Sequence, residues 1–418
     1  MPQKKQGLSS GELVVAESNI LPESTTVTNI LTLRYDPTQQ PLLPKLSWNN
    51  FVSKNTTPSL DFIENSIKNT IKNQIKNAKK VCIALSGGVD STLVLTLLRK
   101  ALPEIQIDAI SVRFANSVDE TKSAAKIADH FGANHHIIEV DNYLRELPKA
   151  ISIIKLPFWD LHWYHVVKKA QHLSSHLASG DGGDEVFGGY TFRYKKFLTL
   201  TNENSNSLEK TKTYLQCHER DNVPDQEKIF GAKANFSWDG IYSLLNPYFD
   251  NDLTRLDQVL LADYNGKLLY NFSLVNTALH NHFEITPVAP LLSSELISYL
   301  APISNTFKYD KEKNIGKLPL RSLLKKHEAE SLIGEEKLGF NVNTINLWNA
   351  YGLRLCKQFL SEPRIVKDGW INQEWIDKHL SKQDLEIRYI NKFLGLLAFE
   401  VWYQLFVTKE MKSSTTLD

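Results

Sequence analysis

Apolar residues recur with a helical period at the start of the regular part of the chain, and then change to short continuous runs. Positions 60, 63, 67, 71 and 75 carry one leucine and four isoleucines, which predicts an amphipathic helix over 60–80. Beyond it, apolar runs typical of buried strands alternate with segments of helical period. The predicted strands cover 81–85, 107–114 and 136–140, and the predicted helices cover 91–101, 118–131, 143–153 and 162–176.

This alternation predicts an α/β fold, a parallel sheet with helices on both faces, in which ligand-binding loops follow the carboxyl ends of the strands. An α/β core is expected at 58–200, followed by a mainly helical part at 201–410, where strand signals fade. Prolines and two β-like runs, Leu13–Val15 and Thr28–Leu33, predict an extended arm with short strands over 1–57. The polar residues 411–418 are expected to form a flexible tail.

The loop after the first predicted strand has the composition of a phosphate-binding turn. It reads Ser86-Gly87-Gly88-Val89-Asp90-Ser91-Thr92. Adjacent glycines let backbone N–H groups approach a ligand, and the following helix directs its positive end to the same place. Because a carboxylate repels phosphate, Asp90 indicates a bridging divalent cation, Mg²⁺. The alternative is an ordinary glycine-rich turn between a strand and a helix.

A second glycine-rich loop lies at 179–190 and carries three acids, Asp181, Asp184 and Glu185, among five glycines. Such a composition suits a loop that wraps closely around a charged ligand. An acid from this loop would complete a Mg²⁺ clamp together with Asp90. The alternative is a solvated or calcium-like acidic turn. Just before the loop, the aromatic stretch 158–165 predicts either the wall of a second substrate pocket or plain core.

Charge and cysteine content exclude several classes of function. The chain has 418 residues with 48 basic and 47 acidic side chains, so it has no overall electrostatic footprint for nucleic acid. Its three cysteines are far apart and odd in number, which argues against a disulfide framework. No apolar run approaches the length of about 18 residues that a membrane span needs. We therefore expect a cytoplasmic protein with small-molecule partners.

The two loops together resemble the synthetase domain of class B asparagine synthetases, within the ATP pyrophosphatase (PP-loop) group. Gly316–Arg321 is similar to the G-K-x-x-L-R run of that family, and Lys337–Phe340 to its K-x-G-F run. The resemblance covers roughly residues 58–408. It implies that ATP and Mg²⁺ are bound.

The resemblance also implies roles for individual residues. Asp181, Lys317 and Lys337 are expected to be catalytic, with Asp181 deprotonating the amine and the lysines neutralising developing charge. Asp90 and Asp184 are expected to bind Mg²⁺. The residues expected to contact ATP are Leu85, Ser86, Gly87, Gly88, Asp90, Ser91, Thr92, Val112 and Gly180.

By this resemblance, ATP activates a small carboxylic acid, foremost aspartate, as an acyl-adenylate, which ammonia or an amine then attacks. The family's N-terminal glutaminase domain is expected to be missing, since only about 80 residues precede the first loop. Free ammonia, an amine or a separate glutaminase subunit would then supply nitrogen. No nucleic acid or membrane partner is expected.

Two segments depart from the family pattern on the acceptor side. Residues 284–293 lack the arginine and final aspartate of E-V-R-x-P-F-L-D, and 275–278 read Val-Asn-Thr-Ala instead of D-R-M-S. An arginine lost from a carboxylate-binding region removes a bidentate donor. Three alternatives therefore stay open: another acid as acceptor, an ATP pyrophosphatase that modifies tRNA, or a non-catalytic nucleotide-binding subunit.

Overall fold

The computed structural model of the protein describes residues 22–52, 57–114, 119, 121–333 and 343–418. A parallel five-stranded sheet with the strand order β3-β2-β1-β4-β5 organises these residues. Its strands are β1 (Lys80–Ala84), β2 (Gln106–Phe114), β3 (Asn134–Val140), β4 (His176–Ala178) and β5 (Thr286–Val288). A separate antiparallel pair consists of β6 (Tyr309–Asp310) and β7 (Ile315–Gly316).

Helices surround the sheet and make up most of the second half of the described chain. They are α1 (Ser24–Leu33), α2 (Trp48–Phe51), α3 (Leu60–Ile75), α4 (Val89–Ala101), α5 (Thr121–His130), α6 (Leu147–Ile154), α7 (His162–Ala170), α8 (Gly183–Phe187), α9 (Thr191–Leu200), α10 (Ser207–Cys217), α11 (Trp238–Leu245), α12 (Arg255–Asp263), α13 (Ser273–His282), α14 (Ser294–Leu300), α15 (Leu318–Lys326), α16 (Thr344–Leu347), α17 (Leu353–Phe359), α18 (Arg364–Lys367), α19 (Gln373–Leu380) and α20 (Ile387–Phe406). The predicted α/β fold with a helical C-terminal part is confirmed.

The central strand β1 separates two hydrophobic cores. Val81 and Ile83 point into a core shared with α3 and α4, whereas Cys82 and Ala84 point into a core shared with α6, α7 and α20. Successive side chains of a strand face opposite sides of the sheet, so a sheet covered by helices on both faces needs apolar residues at every position. This explains the continuous apolar run at 81–85. None of the helices in the described ranges is long and apolar enough to cross a membrane.

The structure adds to the five-stranded sheet two short strands that the periodicity did not predict. Strand β4 takes its first residue, His176, from the end of the predicted helix 162–176, whereas α7 ends at Ala170. Strand β5 belongs to the part predicted to be mainly helical, and it carries Pro287, which is tolerated because β5 is the edge of the sheet. Three residues are too few to establish a period of two, so neither strand had a sequence signal.

The strand expected at Thr28–Leu33 is wrong, because these residues belong to helix α1. Val27, Ile30 and Leu31 pack into the same core as α20. The carbonyl of Leu31 accepts hydrogen bonds from the buried Nζ of Lys392 and, at 3.0 Å, from the amide of Gln226. Tertiary packing therefore outweighs the β propensity of this run. The other expected strand, Leu13–Val15, lies outside the described residues.

The flexible tail expected at 411–418 is also wrong. Leu417 is 1% exposed, its backbone N–H donates to the carbonyl of Arg145 at 2.9 Å, and its carbonyl accepts from the Asn142 amide at 2.7 Å. Arg145 also pairs with Asp418 at 2.8 Å. Two buried apolar residues, Met411 and Leu417, anchor a segment whose overall polarity suggested fraying. The expected domain boundaries remain a prediction, although the sheet itself draws strands from both sides of residue 200.

Candidate active site

The two glycine-rich loops lie side by side because they follow neighbouring strands. The first follows β1 and the second follows β4, and β1 pairs directly with β4. In the first loop Gly87 has a φ of +78°, and Gly88 caps the start of α4. The Ser86 hydroxyl lies 3.2 Å from the Ser91 hydroxyl and accepts from the Gly88 N–H at 3.3 Å. This arrangement presents backbone N–H groups and a helix N-terminus, which suit phosphate.

Glycines of the second loop allow it to approach Asp90 of the first loop. A Cβ on Gly180 would lie 2.7 Å from the Cβ of Asp90, and a Cβ on Gly183 would lie 2.3 Å from its Oδ1. Real Cβ atoms do not approach other atoms this closely, so a side chain at Gly180 would clash with the backbone at Asp90, and one at Gly183 would displace the Asp90 carboxylate. The second loop therefore brings Asp184, its own acid, to the same end of the cleft as Asp90.

Lys317 joins the acids of the two loops. Its Nζ donates to Asp90 Oδ2 and lies 2.9 Å from Asp184 Oδ1, and its side chain is only 5% exposed. Burial lowers the pKa of Lys317, but the two carboxylates outweigh this effect and hold the pKa above its ordinary value. Lys317 is therefore an ammonium ion. The predicted residues Asp90, Asp184 and Lys317 do come together, although they are far apart in sequence.

Asp181 has hydrogen-bond partners of its own in the same cleft. Its Oδ2 accepts hydrogen bonds from the Ser179 hydroxyl at 2.9 Å and from the Asn276 amide at 3.0 Å. Burial raises the pKa of Asp181, and the charge of Asp90 acts in the same direction. A carboxylate with a raised pKa is a better proton acceptor, which suits a general base. The third acid of the loop, Glu185, is turned inward, where the Tyr190 hydroxyl donates to it at 2.5 Å.

Asn276 is a site residue that the sequence analysis did not identify. It belongs to α13, in the segment that departs from the family pattern, and it lines the same cleft as Asp181. The family pattern places residues 275–278 on the acceptor side but does not single out Asn276. Only the packing of α13 beside the second loop reveals it.

A cleft of about 1090 Å³ contains these groups. Its described lining includes Ser86, Gly87, Gly88, Asp90, Ser91, Gly180, Asp181, Asp184, Asn276, Lys317 and Arg321. This volume slightly exceeds the range of about 300–1,000 Å³ that is typical of small-molecule sites. It offers room for a nucleotide and a second small substrate.

Some expected site residues do not line this cleft. Leu85, just before the first loop, and Thr92, at its end, are fully buried, and Val112 is 8% exposed within β2. Their expected contacts with ATP remain predictions. Lys337 lies outside the described residues.

The aromatic stretch 158–165, expected to form either a pocket wall or core, contributes residues to both. Trp163 and its neighbour His162 line the cleft, and the Trp163 indole N–H donates to the His280 ring at 3.2 Å. Phe158 and Trp159 are buried in the core that contains α20. The stretch therefore contributes to both the cleft wall and the core.

The residues present fit a magnesium ion. Asp90 and Asp184 offer carboxylate oxygens, which a hard divalent cation prefers, and the structure already stabilises a positive charge between them. Within the described part of the chain no three His, Cys, Asp or Glu side chains group as metal ligands. Waters and phosphate oxygens would then complete the coordination, as is usual for Mg²⁺.

Known proteins resemble this chain over the same region. A region of 111 residues is 33% identical to a putative asparagine synthetase [glutamine-hydrolyzing] of Methanocaldococcus jannaschii, covering 25% of this chain and 22% of the relative. A region of 122 residues is 31% identical to asparagine synthetase [glutamine-hydrolyzing] 1 of Bacillus subtilis, covering 28% and 19%. The chain thus spans about a fifth of the length of these relatives.

Similarity also extends to other enzymes. Over 75 residues the chain is 35% identical to the NH(3)-dependent NAD(+) synthetase of Carboxydothermus hydrogenoformans, covering 18% of this chain and 30% of that protein. The solved NAD synthetase of Campylobacter jejuni superposes with a TM-score of 0.26 and 22% identity, covering 32% of this chain and 62% of that one. The family described as asparagine synthase matches residues 63–404. The chain therefore belongs to the asparagine synthase family.

Proposed function

We propose that the protein is an ATP-dependent ligase that forms an amide bond. In the first step a carboxylate oxygen of the acid substrate bonds to the α-phosphorus of ATP, and pyrophosphate leaves. In the second step ammonia or an amine attacks the acyl carbon of the acyl-adenylate, the bond to the phosphate oxygen breaks, and AMP leaves. Aspartate is the leading acid substrate, and asparagine the corresponding product.

One observation carries this proposal. A buried lysine that bridges two carboxylates shares a cleft with a separate carboxylate of raised pKa, beside a glycine-rich loop at a helix N-terminus. The first group suits charge stabilisation on phosphates and the second suits proton transfer. Adenylation followed by amide formation needs both functions in one site. Phosphate binding alone would not need the second.

The chain's own residues take distinct roles in this proposal. The backbone of Gly87 and Gly88 and the start of α4 bind phosphate oxygens. Lys317 opposes the negative charge that develops when pyrophosphate leaves. When bound, Mg²⁺ would be held by Asp90 and Asp184 and would neutralise phosphate charge. Asp181 takes the proton that the attacking nitrogen loses.

A different carboxylic acid is the second candidate for the acceptor. Asn276 contacts Asp181 and stands in the segment that replaces the family's D-R-M-S. A neutral amide at this position offers no bidentate cationic donor to a second carboxylate on the substrate. The candidates for the nitrogen source are free ammonia, an amine and a separate glutaminase subunit.

The direct test is product analysis with MgATP and ammonium chloride, in the presence and absence of aspartate. We expect aspartate-dependent AMP, pyrophosphate and asparagine, identified by mass spectrometry. If the protein binds ATP but its product formation does not depend on aspartate, another acid would be the proposed substrate. Release of ADP and phosphate, instead of AMP and pyrophosphate, would contradict the proposed reaction. The variant Lys326→Met, which changes an exposed lysine on α15, is a control with expected full activity.

A further inference from the structure

Lys317 occupies the point where the two acids of the proposed metal site converge. Its Nζ contacts Asp90 Oδ2 and Asp184 Oδ1 together, so the ammonium stands between the carboxylates that would hold the cation. The side chain is almost completely buried, which distinguishes it from a solvated surface lysine. The position of the Lys317 ammonium is therefore fixed by the residues that surround it.

The surrounding backbone is built to hold this lysine. The N–H of Lys317 donates to the Phe187 carbonyl at 3.1 Å, which ties the end of β7 to the second loop. A Cβ on Gly189 would lie 1.9 Å from Asp184 Oδ1 and 2.3 Å from Lys317 Cε. Lys317 itself has a φ of +59°, in the left-handed region that ordinary residues rarely adopt. The fold tolerates this conformation at the residue that caps α15.

An ammonium and a divalent cation compete for the same carboxylate oxygens. At a separation of a few ångströms in a largely buried site, two positive charges repel strongly. A cation that arrives alone must therefore displace the ammonium without compensation. A cation that arrives with a nucleotide triphosphate also brings negative phosphates, toward which a flexible lysine side chain can turn.

We propose that Lys317 is a built-in counter-ion, which holds Asp90 and Asp184 together in the nucleotide-free protein. Only a divalent cation that arrives with ATP displaces the Lys317 ammonium from these two carboxylates. The inference rests on the proposed function, because it assumes that these acids belong to a nucleotide site. It makes metal binding conditional on nucleotide binding. The site would then remain without free metal until its substrate is present.

The test titrates the nucleotide-free protein with Mn²⁺ and measures unbound metal by electron paramagnetic resonance. We expect weak binding to the wild type and binding at least about tenfold tighter to Lys317→Met, which keeps the side-chain length and removes the charge. The control is Lys326→Met at the other end of α15. Lys326 also bridges two carboxylates, at 2.7 Å from Asp61 and 2.9 Å from Glu64, but away from the cleft. Its Mn²⁺ affinity should equal that of the wild type.

Equal Mn²⁺ affinity of Lys317→Met and wild type would overturn the inference, provided that circular dichroism shows a folded variant. If the variant does not fold, the wild type decides alone, because micromolar Mn²⁺ binding without nucleotide would also overturn it. Calorimetry with wild type, Mg²⁺ and α,β-methylene-ATP separates the two proposals. No binding of that analogue would contradict the nucleotide site itself, whereas binding of the analogue with unchanged metal affinities would contradict only the role of Lys317.

Discussion

Single glycines shape the cleft as much as its charged side chains do. The sequence analysis assigned the glycines of the second loop to close contact with a ligand. In the structure, Gly180 and Gly183 let this loop pack against Asp90, and Gly189 leaves room for Asp184 and Lys317, while the expected contact of Gly180 with ATP remains a prediction. The glycines of the second loop therefore also allow close contact between the two loops. An added methyl group at these positions should displace an acid before it affects any ligand directly.

The variant Gly183→Ala should lower pyrophosphate release by about a hundredfold, because its Cβ would displace the Asp90 carboxylate, and small displacements in a site have effects of this size. The measurement is kcat/KM for pyrophosphate formation from MgATP. Gly240→Ala is the matched control, because a Cβ at Gly240 would meet no atom within 4 Å in helix α11. Equal activity of the two variants would contradict the importance of the loop contact.

The variant Asn276→Ala should shift the pH dependence of amide formation. The Asn276 amide donates to Asp181 and stabilises its charged form, so removing it raises the pKa of Asp181 further. Because a base must be deprotonated to act, the acid limb of the kcat/KM profile should move up by about one pH unit. Asn281→Ala, an exposed position on the same helix, should leave the profile unchanged. An unshifted acid limb in Asn276→Ala would mean that Asp181 is not the base.

Among the secondary-structure elements, those with a strong period were predictable and those decided by packing were not. The strands β1 and β2 and the helices α3 and α4 lie within a few residues of their predicted positions, because their apolar patterns are long. Helix α1 was predicted as a strand from its β-branched residues. The structure shows that its apolar face and the carbonyl contacts at its end decide the conformation instead.

Helix α1 gives a prediction about stability. Leu31 is 4% exposed in the core shared with α20, so Leu31→Ala should lower the free energy of unfolding by about 2–5 kcal/mol. Thr25→Ala, at an exposed position of the same helix, should change it by less than about 0.5 kcal/mol. Urea denaturation followed by circular dichroism measures both values. A loss below 1 kcal/mol for Leu31→Ala would show that α1 does not pack as described.

At the scale of the whole molecule, the candidate site depends on residues from both sides of position 200. The Ser179 N–H donates to the Val288 carbonyl of β5 at 3.0 Å, and the Ser179 hydroxyl then donates to Asp181. Lys317 and Asn276 also come from the second half. The composition of the two loops identified them from the sequence, and a family resemblance added Lys317. It could not identify β5 or Asn276, since the packing of distant segments has no local signature.

This dependence predicts that the expected α/β core is not an independent folding unit. A fragment of residues 58–200 retains both loops, but it loses β5 beside β4 and the helix α20, which completes the core on one face of β1. It should therefore unfold without a cooperative transition and should not bind α,β-methylene-ATP, because neither Lys317 nor the edge strand is present. Urea unfolding and calorimetry measure the two properties, with a chain of residues 22–418 as the control that keeps every described element. Cooperative unfolding of the fragment would show that the second half is an addition to a self-sufficient core. The contacts of β5 would then be dispensable for the sheet, and β4 alone would position the second loop.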